Sequence, residues 1–209
     1  MLPVFCIKDC FWRNKNWKVG DSAKLSLYES PPSEFSYKKP VIINILPSAD
    51  SNKIVLVGDG PSGKDFISSQ YPVAVVNRVG LRYPNNIKYW LSLHPQLFGI
   101  RLNIRRKKNL PCDNIYFISN KVVRNPTVSI FRSKVYGGSS SLFALDTLVA
   151  MGYKEIELIG VDLTDRYEAF RVWWEDYWPK AKVITNSPGW ISEWCESRNY
   201  RNKVKVNKL

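Results

Sequence analysis

Ile54, Val55, Leu56 and Val57 form an unbroken apolar run that leads straight into Gly58-Asp59-Gly60-Pro61-Ser62. A strand with no polar alternation is one buried on both faces, and such strands belong to parallel sheets covered by helices. Two glycines just beyond it give a turn that takes positive φ and lets backbone N–H groups approach an anion. Pro61 suits the first position of a helix, where its missing N–H costs little. The stretch is not a complete nucleotide motif. G-x-G-x-x-G is absent, and Gly63-Lys64 lacks the following Ser or Thr of a P-loop. A tight turn that binds nothing is the alternative it leaves open.

From residue 41 onward strand and helix patterns alternate. This predicts an α/β fold, Rossmann-like, with a mostly parallel sheet and helices on both faces. Strands are expected over 41–46, 53–57, 73–76, 89–93, 114–118, 155–159 and 182–184, and helices over 64–70, 96–104, 140–151, 166–177 and 189–198. The helix after residue 139 is the clearest. Ser139, Ser140 and Ser141 offer an N-cap, Leu142, Leu145, Leu148 and Val149 make an apolar stripe, and Gly152 ends it.

The first forty residues predict a small N-terminal β module. Val4 to Lys8 is strand-like, Trp12 to Trp17 reads as a hairpin, and a turn at Val19-Gly20-Asp21 precedes a second run over 23–27. Pro31-Pro32 closes the module, and Trp12, Trp17 and Phe35 supply its expected core. A unit this small is marginal alone and should dock on the main domain or a partner. The expected organisation is therefore 1–40, a β module; 41–197, the α/β domain; and 198–209, a basic tail.

Eight Trp, eleven Tyr and nine Phe in 209 residues exclude disorder as the general state. No apolar run reaches membrane-spanning length and the start lacks a signal peptide's pattern, so no membrane partner is expected and the setting expected is soluble and cytoplasmic. Cys6, Cys10, Cys112 and Cys195 are too few and scattered for a disulfide framework, and no ligand pair completes a metal site. The net charge of +13 favours a phosphate-rich or acidic partner. Its clusters, Arg101, Arg105, Arg106, Lys107 and Lys108 and the tail from Arg198 on, are candidates for polyanion or nucleic-acid contact. A solvated basic surface is the plainer alternative.

In an open parallel sheet the ligand lies beyond the carboxyl ends of the strands, where strand order reverses. Four segments are candidates to converge there: Gly58 to Ser62, Asn77 after the 73–76 strand, Gly138 to Ser140 at a helix start, and Gly160-Val161-Asp162. Ser139 and Ser140 suit a phosphate, Asn77 a base or ribose edge, and Asp162 ribose hydroxyls. Each has a plainer role: capping for Ser139, turn formation for Asn77 and Asp162.

Val-Gly-Asp-Gly-Pro-Ser, Val-Val-Asn, Gly-Ser-Ser-Ser and Met-Gly-Tyr-Lys-Glu-Ile-Glu-Leu-Ile-Gly-Val-Asp, in this order, resemble the bacterial sialyltransferases that use CMP-sialic acid. They also resemble a wider set of bacterial and bacteriophage Rossmann-like proteins. The likeness spans about residues 53 to 186. It implies a nucleotide site built from Asp59, Gly60, Asn77, Ser139, Ser140 and Asp162, to which the glycine turn itself adds Gly58 and Ser62 as candidates, with a CMP-linked sugar as the class of nucleotide-sugar. Asp59 stands where that family has Asn, Gly137 replaces its arginine, and Thr164 replaces a tyrosine. Its late catalytic histidine is missing, and His94, the chain's single histidine, is the remaining candidate for acid/base work. The resemblance thus implies a glycosyltransferase-like protein with altered or lost catalytic residues.

The N-terminal Lys8-Asp9-Cys10-Phe11-Trp12-Arg13 segment, with Pro31-Pro32 ahead of Phe35, resembles small modules of tailed-phage proteins. It implies a phage setting, with other virion proteins as partners. The alternative function is accordingly a non-enzymatic virion or assembly protein that uses the Rossmann core as a scaffold.

Overall fold

The computed structural model describes residues 2–6, 10–12, 15–17, 22–25, 35–36, 46–121, 128–131, 133 and 139–206. The chain divides into two compact units, Met1–Asn44 and Ile45–Leu209. In the first, β1 (Leu2–Cys6) pairs antiparallel with β4 (Ser22–Leu25) and β5 (Phe35–Ser36). β2 (Cys10–Trp12) pairs antiparallel with β3 (Lys15–Trp17), as a hairpin should. The side chains of this unit lie outside the described ones, and with them the expected core of Trp12, Trp17 and Phe35.

The second unit holds seven strands: β6 (Lys53–Val57), β7 (Val73–Val76), β8 (Tyr89–Leu91), β9 (Tyr116–Ser119), β10 (Val128–Ile130), β11 (Glu155–Ile159) and β12 (Lys182–Thr185). They form one sheet in the order β10-β9-β8-β7-β6-β11-β12, and every neighbouring pair is parallel. The sheet therefore grows one way from β6 to β10 and then restarts on the other side of β6 with β11. The switch point lies between β6 and β11.

Both faces of the sheet are covered. Ile54 and Leu56 of β6 pack into a cluster with Leu142, Leu145 and Leu148 of α2 (Ser140–Ala150), Trp174 of α3 (Arg171–Glu175), and Ile191 and Trp194 of α4 (Trp190–Val206). Val55 and Val57 point the other way, into a cluster with Trp90, Phe117 and Phe98 of α1 (Phe98–Lys107). The unbroken apolar run of β6 follows from this, because each alternate residue has a core to enter.

Several elements differ from the sequence expectation. No helix forms over 64–70; a 3-10 turn, Pro61–Gly63, stands there instead. The carbonyls that a helix would pair internally are taken by side chains, those of Gly63 and Lys64 by Arg82 at 2.9 and 3.3 Å, and that of Ile67 by Asn85 at 2.7 Å. The expected 166–177 helix divides into a 3-10 stretch, Asp165–Phe170, and the short α3. β10 is an additional edge strand, too short to show a period. The strand expected over 41–46 lies, but for Leu46, outside the described residues, as do Gly137 and Gly138.

The basic clusters also fold differently from a free polyanion surface. Arg105 is fully buried and donates to the carbonyls of Pro111, Gly80, Tyr83 and Asn85 at 2.6 to 2.9 Å. Arg101 is nine-tenths buried, and only Arg106 of the three is exposed. The expected tail is helical to Val206. Arg198 docks that helix by donating to Tyr177 O at 3.1 Å and to Glu175 O, with its guanidinium 3.9 Å from the Trp178 ring centroid. No helix among the described residues is long and apolar enough to cross a membrane.

Replacing Arg105 with Met strands four carbonyls and should lower unfolding free energy by about 4 kcal/mol or more. Arg106→Met, one position along the same helix, should change it by less than about 0.5 kcal/mol. Urea denaturation of both variants checks the contrast.

Candidate functional site

The turns after β6 and β11 meet at the switch point and are joined backbone to backbone. Gly58 N–H donates to Ile159 O at 2.7 Å and Gly60 N–H to Gly160 O at 2.8 Å. Only glycine permits this approach: a Cβ on Gly58 would lie 2.3 Å from Gly160 O, and one on Gly160 would lie 2.7 Å from Gly58 O. Gly160 also takes a left-handed φ of +65°. Ser62 completes the junction. Its N–H donates to Asp162 Oδ2 at 2.9 Å, its hydroxyl donates to Asp162 Oδ1, and Gly160 N–H donates to Ser62 Oγ at 3.1 Å. Ser187, after β12, lies 2.7 Å from the same hydroxyl.

These bonds correct the expected part of Gly58, Gly60 and Ser62 as an amide cradle for phosphate. Their N–H groups are already committed within the protein, Gly60 has an ordinary extended backbone with φ −75°, and the positive φ sits instead on Gly160. Asp162 is likewise occupied at both carboxylate oxygens and is nine-tenths buried. The expected ribose acceptor is a brace between the two turns.

Over this junction lies a cavity of about 540 Å³. Of the residues singled out in the sequence, Asp59, Gly60, Asn77, His94, Ser139, Ser140 and Asp162 all line it; Gly58 and Ser62 do not, lying behind its wall. Its apolar surface comes from Val76, Val161, Leu163 and Phe170. The cavity thus joins the ends of β6, β7 and β11 to the start of α2.

Each wall is set by its element. Ser139 caps α2, accepting from Leu142 N–H at 3.3 Å and from Trp174 Nε1–H at 3.4 Å. Ser140 and Ser141 begin the helix, so their own N–H groups have no intrahelical partner and face the positive end of its dipole. Asn77 ends β7 with a left-handed φ of +50°. Its carbonyl accepts Trp90 Nε1–H at 2.8 Å, and its Oδ1 accepts from the hydroxyls of Ser92 at 2.8 Å and Ser140 at 3.3 Å. Ser92 accepts His94 N–H at 3.0 Å, which leaves its own proton for Asn77. The Asn77 amide is thereby oriented, with its NH₂ without a partner among the described residues.

Asp59 does not confront the cavity as a bare negative charge. Arg78 donates to its Oδ2 from Nε at 3.2 Å and from Nη2 at 3.1 Å, and Arg82 Nε lies 3.6 Å from its Oδ1. His94 is exposed and reaches the cavity rim from the segment that follows β8. Among the described residues no hydrogen bond orients its imidazole, and no three His, Cys, Asp or Glu side chains gather as a metal site.

Leu163, Asp165, Tyr167 and Phe170 line the cavity without having been singled out in the sequence, and Thr164, noted there only as a replacement for a tyrosine, lines it with them. Two of them, Leu163 and Asp165, take left-handed φ values of +51°, so with Asn77 three strained non-glycine residues border one cavity. Backbone strain of this kind costs about 1–3 kcal/mol per residue and gathers where a binding surface demands it. Nothing in a Leu or Asp side chain announces such a backbone, whereas the adjacency of these residues to Gly160-Val161-Asp162 was a usable signal.

No family model matches the chain, and no curated protein matches it. Among solved structures it is similar to the sialyltransferase CstII from Campylobacter jejuni in complex with cytidine-5'-monophosphate, with a TM-score of 0.45 at 15% identity over 66% of this chain and 81% of that one. It is also similar to the apo α-2,3-sialyltransferase from Campylobacter jejuni, with a TM-score of 0.45 at 17% identity over 68% and 78%. Likeness at this level carries neither substrate nor mechanism to this chain.

Asp162→Ala should remove the brace, leave Ser62 N–H without an acceptor and cost about 2–4 kcal/mol. Hydrogen exchange should then speed up at the amides of Gly60 and Ser62 while those of β7 keep their protection.

Proposed function

We propose that this cavity is a nucleotide or nucleotide-sugar site in a glycosyltransferase-like protein, with a CMP-linked sugar as the class it takes. One observation carries the reading. Ser139, Ser140 and Ser141 at the start of α2, the oriented Asn77 amide and three strained residues line a single cavity at the switch point of a parallel sheet. Helix starts of this kind favour phosphate, and switch points are where such folds bind ligands. A cavity of about 540 Å³ is of the size that small-molecule sites occupy. The order of the four motifs along the chain, which resembles that of CMP-sialic-acid-using enzymes, selects the cytidine nucleotide.

Within this reading the α2 N-terminus takes the phosphate, and the NH₂ of Asn77 donates to the ribose or base. Val161, Leu163 and Phe170 exclude water from one side. Transfer chemistry needs a proton acceptor or donor at the glycosidic oxygen, and His94 at the rim is the group able to serve. No carboxylate orients its ring among the described residues, and Gly137 and Thr164 stand where the resembling family carries an arginine and a tyrosine. The reading therefore includes an altered catalytic apparatus, binding being better provided for than turnover. Its bacteriophage setting rests on the likeness of the N-terminal segment.

Calorimetry of the intact protein with CMP, UMP and cytidine tests this. CMP should bind, UMP less tightly, and cytidine weakest for want of the phosphate. Asn77→Asp keeps the shape and both serine bonds, but it loses the NH₂ and adds a charge near the phosphate. It should weaken CMP at least tenfold, about 1.4 kcal/mol, with little change in Tm. Folded protein that gives no heat with either nucleotide ends the proposal.

A further inference from the structure

Two guanidinium groups hold one carboxylate at the rim of the cavity, and a third stands close enough to feel its charge. Arg78 holds Asp59 through two nitrogens, at 3.2 and 3.1 Å, and Arg82 stands 3.6 Å from its other oxygen. The remaining donors of Arg82 are turned to the carbonyls of Gly63, Lys64 and Gly58, so its position is set by the turn itself. Arg101, on α1, is nine-tenths buried and its Nη1 is out of water with no hydrogen-bond partner. It lies within the reach of both neighbouring charges. Burial and the Arg78 charge pull its pKa down, and Asp59 pushes it back up.

Such an arrangement is incomplete as a purely structural network. One carboxylate leaves two positive charges uncompensated, and a buried guanidinium with an open N–H loses solvation that nothing replaces. Arg105, four residues and about one turn farther along the same helix, shows the contrast, since each of its three nitrogens finds a carbonyl. A planar guanidinium fork is the group best matched to a second oxyanion. Asp59 itself lines the cavity, and the three arginines stand behind it, outside the lining, so the carboxylate is what separates them from the proposed nucleotide site.

We propose that Arg78, Arg82 and Arg101 form a second anion subsite beside the α2 phosphate position, and that Asp59 holds it until a further anionic group of the nucleotide arrives. The proposal rests on the nucleotide reading of the cavity. The anion is an oxyanion one step beyond the first phosphate, either a second phosphate or the carboxylate of a linked acidic sugar. Asp59 then acts as an internal competitor. It screens the arginines in the free protein and raises selectivity, because a nucleotide with a single phosphate has nothing with which to take them.

Calorimetry with CMP, CDP and CMP-3-fluoro-N-acetylneuraminic acid, together with pyrophosphate alone, tests the subsite on wild type, Arg78→Gln, Arg101→Gln and Asp59→Asn. Lys107→Gln, which removes an exposed charge from the same helix, controls for the general field. Arg78→Gln should weaken CDP or the acidic sugar nucleotide at least tenfold and CMP less than threefold, with Lys107→Gln altering neither; the ligand affected identifies the source of the anion. Arg101→Gln should act in the same direction, and Arg78, being at the surface, keeps the test valid if Arg101→Gln does not fold. Asp59→Asn should tighten the doubly anionic ligand at least threefold. Nucleotide binding in which Arg78→Gln weakens all three ligands alike, or none, overturns the subsite and leaves the nucleotide reading standing. Pyrophosphate binding that is lost in Arg78→Gln, with no nucleotide bound, keeps the subsite and overturns the nucleotide reading. A wild type that binds none of the four probes overturns both.

Discussion

The junction of Gly58 and Gly160 is the constraint on which the site depends. Two strands that are far apart in sequence end side by side at the switch point, and their turns touch more closely than any side chain allows. Ser62 and Asp162 then lock the contact with a backbone and a hydroxyl bond. Because these turns are rigid, the residues beside them are presented at defined places: Asp59 on one side, and Val161 and Leu163 on the other. The cavity floor is made of backbone atoms already satisfied, and so unpaired polar groups are confined to its walls.

Those walls divide into two electrostatic regions. One is the start of α2, where N–H groups and the helix dipole give a modest positive potential without a formal charge. The other is Asp59, behind which the arginine cluster carries formal charge in excess and partly desolvated. A chain with net charge +13 suggests general attraction for polyanions. Tertiary structure redistributes that charge. Arg105 becomes a fold staple and Arg198 a helix dock, whereas Arg78, Arg82 and Arg101 concentrate next to the cavity.

Periodicity was legible wherever burial repeats. The strands over 53–57, 73–76 and 155–159 and the helix that begins at Ser140 appear where their patterns place them. The 64–70 segment shows the opposite case. Its backbone carbonyls are satisfied by Arg82 and Asn85, partners about twenty residues away, and no local pattern records such a bond. The same holds for Arg101 and Arg105, which in sequence form one basic run and in the structure are buried side chains with different surroundings. The site was legible as a set of strand ends, since a parallel sheet brings them together. The loop of Leu163 and Asp165 was not, because its strain resides in φ and not in side-chain type.

The sequence alone determined a parallel α/β sheet, through the double-faced apolar strand at 54–57, and the identity of most residues around one cavity, through their places at strand and helix ends. It also determined that glycine stands at both turns of the switch point. Only the tertiary structure decided what those residues do. Gly58, Gly60, Ser62 and Asp162 join two turns to each other, while Asn77 and the start of α2 carry donors that the described residues leave unused. The physical reason is that hydrogen-bonding capacity is a property of atoms, but whether it is spent depends on which atoms the fold brings within about 3 Å. For the Gly58–Ser62 turn and Asp162, those atoms lie about a hundred residues apart.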